Sequence, residues 1–222
     1  MMKIKYCINL HKGTTFIFIL GLMLIYQNFM LGAWVYLALH GTYGLLWLLK
    51  DQLYPDKQWE QQYPWPIHLL GFGLISLYWV APYILISRRV EPAVPLIAGA
   101  IALNIVGVFL HFGSDAQKYL ILKYQPRLIT EGFFARCRNP NYLGEMLIYL
   151  SFAMLTMHWL PFVILGGFFG AVFIPNMLKK DRSLSRYPEF EQYRENSGLF
   201  WPKLIGKQNP TPKDMAKVEL NS

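Results

Sequence analysis

Residues 136–145 read RCRNPNYLGE and lead without interruption into the apolar stretch MLIYLSFAML, residues 146–155. Two basic side chains, Arg136 and Arg138, therefore precede a hydrophobic segment that carries a carboxylate, Glu145, in its first turns. An ionisable group at membrane depth is costly unless a partner or a water-filled cavity offsets its lost hydration. The stretch predicts a helix that enters a membrane with a functional acidic group near its start.

The composition of the whole chain agrees with a membrane location. Of the 222 residues, 54% are hydrophobic and only 15% are charged, which is too apolar for an ordinary soluble domain of this size. A helix needs roughly 20 apolar residues to cross the hydrocarbon core. We therefore predict an all-α fold, a polytopic transmembrane helix bundle with about six spans. The spans lie near residues 14–28, 30–49, 67–87, 93–112, 141–158 and 160–178.

The chain is predicted to form one integral-membrane domain over residues 1–205. The remaining residues, 206–222, read GKQNPTPKDMAKVELNS, which is polar, contains proline and lacks apolar anchors. Such a composition predicts a disordered tail.

Two segments beside the fifth and sixth spans are expected to form cytoplasmic helices. Residues 113–140 begin with a pattern that predicts a helix continuing the fourth span out of the bilayer or lying along its surface. Residues 179–205 contain Pro188, which cannot continue a helix. We expect one helix that ends at Tyr187 and a second from Glu189 to about Asn196.

The positions of basic residues predict the orientation of the chain. They form three groups: Lys3, Lys5 and Lys12; Lys118, Lys123, Arg127, Arg136 and Arg138; and Lys179, Lys180, Arg182 and Arg186. Since Lys and Arg are enriched in cytoplasmic loops, six crossings place all three groups and both termini in the cytoplasm, with Arg88 and Arg89 as the exception. The host membrane is then a bacterial inner membrane or the endoplasmic reticulum. The net charge of +8 is explained by this topology and by anionic membrane lipids, so no nucleic-acid partner is predicted.

Several familiar motifs are missing from the sequence. Cys7 and Cys137 are too far apart for a disulfide framework or a zinc motif and are expected to be free thiols. No spacing of His and carboxylate residues indicates a metal site. The stretch Gly71-Phe72-Gly73 lacks the third glycine of a dinucleotide fingerprint. A nucleotide would therefore be bound without a standard soluble nucleotide fold.

One pair of glycines predicts close helix packing. Gly166 and Gly170 have the spacing of a small-xxx-small motif within an apolar segment. Such pairs let two transmembrane helices approach closely.

A set of motifs in the C-terminal half resembles one superfamily of membrane enzymes. The motifs are RNPNYLGE at 138–145, Asp181-Arg182, Tyr187-Pro188 and GLFWP at 198–202. The superfamily includes steroid 5-alpha-reductases, sterol reductases, isoprenylcysteine carboxyl methyltransferases and phospholipid methyltransferases. The resemblance covers residues 111–204, and its implication is a helical membrane enzyme with a cofactor bound from the cytoplasm.

Two details of the resemblance favour the reductase branch. The segment HFGSD, from His111 to Asp115, is similar to the Asn-Ile-His-Ser-Asp of the reductases, whose first and last residues help to hold NADPH. The segment NYLGE, from Asn141 to Glu145, resembles Asn-Tyr-Phe-Gly-Glu, whose Asn and Glu approach the nicotinamide. The resemblance also implies that Tyr187 faces the cofactor.

The methyltransferase branch stays open as an alternative. Its members usually have Arg-His-Pro where this chain has Arg138-Asn139-Pro140, and paired glutamates where it has Asp181-Arg182. The cofactor in that case is S-adenosylmethionine rather than NADPH.

The residue types themselves are compatible with either cofactor. Arginines bind phosphates through charge-assisted hydrogen bonds, and Asn141 and Glu145 share one helical face because they lie four residues apart. Their carboxamide and carboxylate oxygens can accept from an amide, a ribose hydroxyl or an amino group. The candidate cofactor-binding residues are His111, Asp115, Lys118, Arg136, Arg138, Asn141, Tyr142, Glu145, Arg182 and Tyr187.

Structural explanations compete with these assignments. Arg136 and Arg138 can be topological anchors, and Glu145 can form a structural ion pair with a neighbouring helix. Asp115 can cap a helix that begins near Ala116, since aspartate is a favoured N-cap residue.

No catalytic residue is identified with the same clarity, but His40 and Tyr43 are candidates. They lie one turn apart beside Gly41 and Gly44, and a phenol or imidazole there could polarise a substrate carbonyl. The alternative is helix packing around two internally hydrogen-bonded groups.

The sequence predicts an NADPH-dependent membrane reductase. Its substrate is expected to be a steroid-like or isoprenoid lipid taken from the bilayer, with a conjugated double bond that is reduced. The alternatives are a methyltransferase that uses S-adenosylmethionine on a lipid or a prenylated carboxylate, and a non-catalytic membrane scaffold. No oligomeric state is predicted.

Overall fold

Helices form almost all of the fold in the computed structural model, which describes residues 1–204. The predicted tail, 206–222, lies outside the described residues. In chain order the elements are β1 Met2–Lys3, α1 Ile4–Ile25, α2 Leu31–Leu53, β2 Gln62–Tyr63, α3 Trp65–Ile75, α4 Val80–Ser87, α5 Val94–Tyr124, α6 Pro140–Leu155, α7 Trp159–Phe168, α8 Ile174–Leu184 and α9 Phe190–Asn196. Strands β1 and β2 form a short antiparallel pair.

Short irregular helices join some of these elements. The 3₁₀ turn Ser76–Trp79 connects α3 to α4, and the π-helical turn Phe169–Phe173 connects α7 to α8, so each pair forms one long segment. Two further 3₁₀ turns, Lys57–Glu60 and Gly132–Phe134, lie in the connections that follow α2 and α5.

Four of the helical segments in residues 1–204 are long and apolar enough to cross a membrane. They are Ile4–Ile25, Trp65–Ser87, Val94–Tyr124 and Trp159–Leu184. This confirms the prediction of an all-helical integral membrane protein.

Helices α2 and α6 coincide with two further predicted spans but are less suited to crossing. Helix α6 has 16 residues, a length of about 24 Å, which is less than the roughly 30 Å of the hydrocarbon core. Helix α2 carries the polar residues His40, Lys50 and Asp51. The number of six spans therefore stays a prediction.

The first helix begins earlier than the sequence predicted. Helix α1 starts at Ile4 rather than near residue 14, which places Lys12 inside the helix and 6% exposed. The assignment of Lys12 to a charged flank before the first span is therefore wrong. The hydropathy pattern placed the start of the span after the polar residues His11 and Lys12, although both side chains are buried in the bundle.

Both segments that were predicted to form cytoplasmic helices contain helices, and their side of the membrane stays a prediction. Helix α5 continues without a break to Tyr124, which confirms an extension of the fourth apolar segment. Asp115 lies inside this helix, so the N-cap explanation for Asp115 is wrong. The break at Pro188 is confirmed, with α8 ending at Leu184 rather than Tyr187.

Close helix packing occurs at glycines other than the predicted pair. A Cβ atom added to Gly144 of α6 would lie 2.5 Å from the backbone nitrogen of His111 and 2.6 Å from the carbonyl oxygen of Gly107, both on α5. Apart from the adjoining residues and the backbone of the same helix, no atom of residues 1–204 lies within 4 Å of a Cβ built at Gly166 or Gly170, so the predicted close packing at that pair is not observed in this part of the chain. The tight α5–α6 contact fixes the two helices that carry most of the candidate site.

The chain closes onto the start of α6 after α9. The backbone nitrogen of Arg138 donates to the carbonyl oxygen of Gly198 at 2.8 Å, and that of Gly198 donates to Arg136 at 3.0 Å. Phe200 then packs into a small apolar cluster with Leu143 and Phe173. The GLFWP motif thus packs over the first turn of α6 and the residues just before it.

Candidate functional site

One face of α5 carries a row of polar residues into the bundle. Asn104, His111, Asp115 and Lys118 are three, four or seven residues apart, so they follow the same side of the helix. The amide nitrogen of Asn104 donates to the hydroxyl of Ser151 on α6 at 3.0 Å. The row therefore faces protein rather than lipid.

His111 connects α5 to the start of α6. Its side chain is 3% exposed, and its Nδ1 atom shares a hydrogen bond of 3.0 Å with the backbone oxygen of Asn141. The imidazole also stacks against Trp47 of α2, with ring centroids 6.1 Å apart. The sequence predicted that His111 and Asn141 act at one site, and the structure places them in contact.

Several buried polar atoms at this position have no hydrogen-bond partner among residues 1–204. They are Nε2 of His111, Oδ1 of Asp115 and Oδ1 of Asn141. Burying such an atom without a partner costs about 1–3 kcal/mol. Three of the ten predicted cofactor-binding residues thus carry hydrogen-bonding capacity that the described chain does not use.

Asp115 belongs to a buried chain of ion pairs. Its Oδ2 atom lies 3.1 Å from Nζ of Lys50 on α2, and its Oδ1 atom lies 3.7 Å from Nζ of Lys118. Lys118 in turn pairs with Asp56 at 2.8 Å. Lys50 was missed by the sequence analysis, although a lysine at the end of an apolar segment is itself a signal of a buried partner.

Glu145 lies one turn beyond Asn141 on α6 and is half-buried. No hydrogen bond or ion pair joins it to another residue between Met1 and Leu204, so the alternative of a structural ion pair is not observed. Its charge is close enough to interact electrostatically with Lys12, Tyr43 and Tyr149. The carboxylate thus lies near Lys12, Tyr43 and Tyr149, and no described residue donates a hydrogen bond to it.

The two catalytic candidates occupy different surroundings. Tyr43 is fully buried and accepts a hydrogen bond of 3.2 Å from Nζ of Lys12. His40 shares a hydrogen bond of 3.2 Å with Tyr36 and stacks on Phe152 at 4.1 Å. Tyr43 therefore lies in the polar centre near Glu145, whereas His40 is packed among aromatic rings.

A cavity of about 120 Å³ lies where α5, α8 and α9 meet the segment after α5. Five cationic side chains line it: Lys118, Arg127, Arg138, Lys180 and Arg186. Tyr187 and Tyr193 contribute aromatic surface. The cavity thus gathers three predicted cofactor-binding residues, Lys118, Arg138 and Tyr187.

Carboxylates neutralise only part of the charge around the cavity. Arg127 pairs with Glu131, and this hydrogen-bonded guanidinium holds the pKa of the Glu131 carboxyl below its usual range. Lys180 donates to the backbone oxygen of Arg138 at 2.7 Å, and Arg186 lies 5.1 Å from the ring centroid of Tyr187. Within residues 1–204, Lys180 and Arg186 form no ion pair.

Arg138 has a structural partner as well as a place in the cavity wall. It is 6% exposed and pairs with Asp181 of α8, with its Nε atom 3.0 and 3.1 Å from the two carboxylate oxygens. Its Nη1 atom donates to the backbone oxygen of Ser197 at 2.5 Å. The sequence analysis identified both Arg138 and Asp181 as motif residues but did not predict their pairing.

Three predicted residues lie outside the cationic cavity, although Tyr142 is close enough to Glu145 to interact with it electrostatically. Arg136 accepts two hydrogen bonds through its backbone oxygen, Tyr142 packs against Phe173 with ring centroids 5.1 Å apart, and Arg182 is exposed on α8. None of the three lines the cationic cavity. Their predicted cofactor contacts stay predictions.

The two cysteines form no disulfide, as predicted, and both are buried. Burial raises the pKa of the Cys137 thiol, which donates to the backbone oxygen of Phe200 at 3.1 Å. A neutral thiol in such surroundings is a poor nucleophile. Cys137 therefore belongs to the packing beneath the GLFWP motif rather than to the chemistry of the site.

Comparisons with known proteins identify a family and two relatives, and none of them is described by an activity. A family described as a protein of unknown function (DUF1295) matches residues 51–197, more than half of the chain. An uncharacterized protein of Schizosaccharomyces pombe is 31% identical over 109 residues, which cover 46% of this chain and 31% of that protein. A second uncharacterized protein of the same yeast is 34% identical over 53 residues, covering 24% of this chain and 17% of its own length. This chain thus spans less than a third of either relative, and no solved structure matches it.

Proposed function

Because the chain belongs to the DUF1295 family, which lies in the steroid 5-alpha-reductase-like and isoprenylcysteine-methyltransferase-type membrane superfamily, we propose that it is an NADPH-dependent reductase. Its substrate is an apolar lipid of steroid-like or isoprenoid character with a conjugated carbon–carbon double bond. The cofactor reaches the bundle from the cytoplasmic side, to which the basic segments after α5 and α8 are assigned. The active chain crosses the membrane six times, with both termini in the cytoplasm.

The unused acceptors between α5 and α6 carry the proposal. Within residues 1–204, Oδ1 of Asp115 and Oδ1 of Asn141 have no hydrogen-bond partner, and none is found for the Glu145 carboxylate. His111 joins α5 to the backbone oxygen of Asn141 at 3.0 Å. A carboxamide and a ribose hydroxyl are donors that such oxygens accept. The arrangement therefore suits the nicotinamide end of NADPH, with Asn141 and Glu145 orienting the ring.

The cationic cavity favours NADPH over S-adenosylmethionine. NADPH carries three phosphate groups, whereas S-adenosylmethionine has none and bears a positive sulfonium. No carboxylate in residues 1–204 pairs with Lys180 or Arg186, and each can form a charge-assisted hydrogen bond to a phosphate. A cavity of this charge would repel a sulfonium and attract a phosphate.

In this proposal each group of residues has a separate role in binding the cofactor. When bound, NADPH supplies the hydride that reduces the double bond. Lys180 and Arg186 hold the phosphates, Asp115 and Asn141 fix the ribose and carboxamide, and Glu145 orients the reactive face. Trp47, packed against His111, closes the site on the α2 side and helps to exclude water.

Ligand-dependent thermal stability tests the proposal. A ligand that binds only the folded state stabilises it, by about 2.7 kcal/mol at a hundredfold excess over the dissociation constant. We expect purified protein in detergent to be stabilised by NADPH, less by NADH because it lacks the 2′-phosphate, and not by S-adenosylmethionine. Stabilisation by S-adenosylmethionine alone would support the methyltransferase, and no response to any of the three would support a non-catalytic scaffold.

A further inference from the structure

The connection between α2 and α3 places a carboxylate against a lysine of the cationic cavity. Residues 54–61, here called the connecting segment, run from the end of α2 to β2 and contain the 3₁₀ turn Lys57–Glu60. Oδ2 of Asp56 in this segment accepts a hydrogen bond of 2.8 Å from Nζ of Lys118, which lines the cavity. A phosphate that reached Lys118 would therefore meet a carboxylate already bound there.

Asp56 can leave Lys118 without leaving a buried charge unpaired. Asp115 lies 3.1 Å from Lys50 and 3.7 Å from Lys118, and both of these contacts remain when Asp56 departs. The side chains of Asp56 and Lys118 are 16% and 27% exposed, so water reaches both. Replacing Asp56 by another anion at Lys118 therefore costs less than breaking the buried pair of Lys50 and Asp115.

The two ends of the connecting segment are attached differently. The end next to β2 is joined to the start of the chain, where Glu60 pairs with Lys3 and Lys5 and β2 pairs with β1. Nearer to α2, the ion pair of Asp56 joins the segment to α5. Loss of this ion pair would therefore loosen the segment beside the cavity while its other end stays attached.

The cavity offers a phosphate more partners than it offers Asp56. Lys118 and Lys180 are close enough to repel each other electrostatically, and Arg186 lines the same cavity. The Asp56 carboxylate pairs with Lys118 alone among these three. A phosphate group has more acceptor oxygens and up to two negative charges, so it can be shared by several cations. An anion of this kind is therefore able to displace Asp56.

We propose that Asp56 is an internal competitor for phosphate at Lys118. Without ligand, Asp56 occupies Lys118 and holds the connecting segment against α5. A phosphate group in the cavity takes Lys118 from Asp56 and releases the segment. The inference rests on the proposed function, in which this cavity holds the cofactor phosphates, and it adds a contact within the chain that opposes cofactor binding.

Asp56→Asn tests the competition, because asparagine keeps the shape of the side chain and an acceptor for the backbone nitrogen of Gln58 but loses the charge. The probe is inorganic pyrophosphate, titrated by calorimetry into the full chain in detergent at constant ionic strength, since salt screens such contacts. We expect the variant to bind pyrophosphate about three times as tightly as the wild type, or more. Equal or weaker binding by the variant, or no binding by either protein, would overturn the competition.

Lys118→Met separates competition at one cation from a general effect of charge. Once Lys118 is replaced, Asp56 no longer masks a cation of the cavity, so adding Asp56→Asn should leave pyrophosphate affinity unchanged. A gain that persisted in this background would overturn the inference. Asp51→Asn is the matched control, because Asp51 pairs with Lys5 at 3.9 Å and accepts a hydrogen bond of 2.8 Å from Asn9. It should bind pyrophosphate like the wild type.

Hydrogen exchange shows directly whether the connecting segment is released. The backbone nitrogens of Gln58 and Trp59 donate to the side chain and the backbone oxygen of Asp56. We expect saturating pyrophosphate to speed exchange of these two amides in the wild type by about threefold or more, and Asp56→Asn to show the faster exchange without ligand. Exchange that is unchanged or slowed by pyrophosphate would overturn the displacement, even if Lys118→Met does not fold.

The response to NADPH separates this inference from the function it rests on. Thermal stabilisation of the wild type by NADPH, with no gain in pyrophosphate affinity in Asp56→Asn, would remove the competitor and leave the reductase standing. A gain in pyrophosphate affinity that depends on Lys118, with no stabilisation by NADPH, would overturn the reductase and leave an anion site with its competitor.

Discussion

Replacing Arg138 with alanine should lower the free energy of unfolding by about 3–5 kcal/mol, the usual cost of removing one partner of a buried ion pair. Asp181 would lose a guanidinium whose Nε lies 3.0 and 3.1 Å from its oxygens, and the backbone oxygen of Ser197 would lose a donor at 2.5 Å. These contacts hold α8 and the segment after α9 against the start of α6. Denaturant unfolding in one detergent, followed by circular dichroism, measures the change.

The control for this variant is Arg194→Ala. Arg194 also pairs with a carboxylate, that of Glu191, but both side chains are more than half exposed. Exposed ion pairs contribute little to stability, so the control should unfold near the wild-type midpoint. If the two variants lose the same stability, Arg138 does not anchor the C-terminal segment.

Glu145→Gln should weaken the stabilisation by NADPH strongly while leaving the protein folded. The carboxylate forms no hydrogen bond or ion pair within residues 1–204, so losing its charge should keep or slightly raise the melting temperature without cofactor. Hydrogen bonds to charged groups contribute about 1.5–3 kcal/mol, which corresponds to a roughly ten- to hundredfold weaker affinity for NADPH. A titration of melting temperature against NADPH concentration measures both effects on one sample.

Glu91→Gln is the matched carboxylate control, because Glu91 is exposed in the connection between α4 and α5. Its response to NADPH should equal that of the wild type. An unchanged response in Glu145→Gln would remove Glu145 from the cofactor site, and unfolding of Glu145→Gln without cofactor would assign the residue a structural role.

The sequence predicted the helices well where apolar runs are uninterrupted. Helix α5 and the joined α3–α4 and α7–α8 segments match predicted spans because each contains a long hydrophobic stretch. Helix α1 was placed too late because His11 and Lys12 are polar but buried, and hydropathy does not distinguish a buried polar residue from a loop residue. The glycine spacing at 166–170 likewise cannot show whether a partner helix is present.

The candidate site was predicted less completely, for a different reason. Short-range patterns identified Asn141 and Glu145 as neighbours on one helical face, and α6 places them one turn apart. Contacts between distant positions have no local pattern, so the pairs Lys50–Asp115 and Lys12–Tyr149 were not anticipated. Lys50 follows the apolar run LLWLL, residues 45–49, and that position was an available signal, whereas Lys12 stands between His11 and Gly13 and had none.

The labelled-cofactor reaction tests the central claim most directly. Purified protein is incubated with membrane lipid extract and either NADPH that carries deuterium at C4 of the nicotinamide or S-adenosylmethionine with a deuterated methyl group, and the lipids are analysed by mass spectrometry. The account predicts a lipid that has lost a double bond and gained one deuterium and one hydrogen, in the first incubation only. Transfer of the deuterated methyl group, or no labelled lipid from either cofactor, would contradict it.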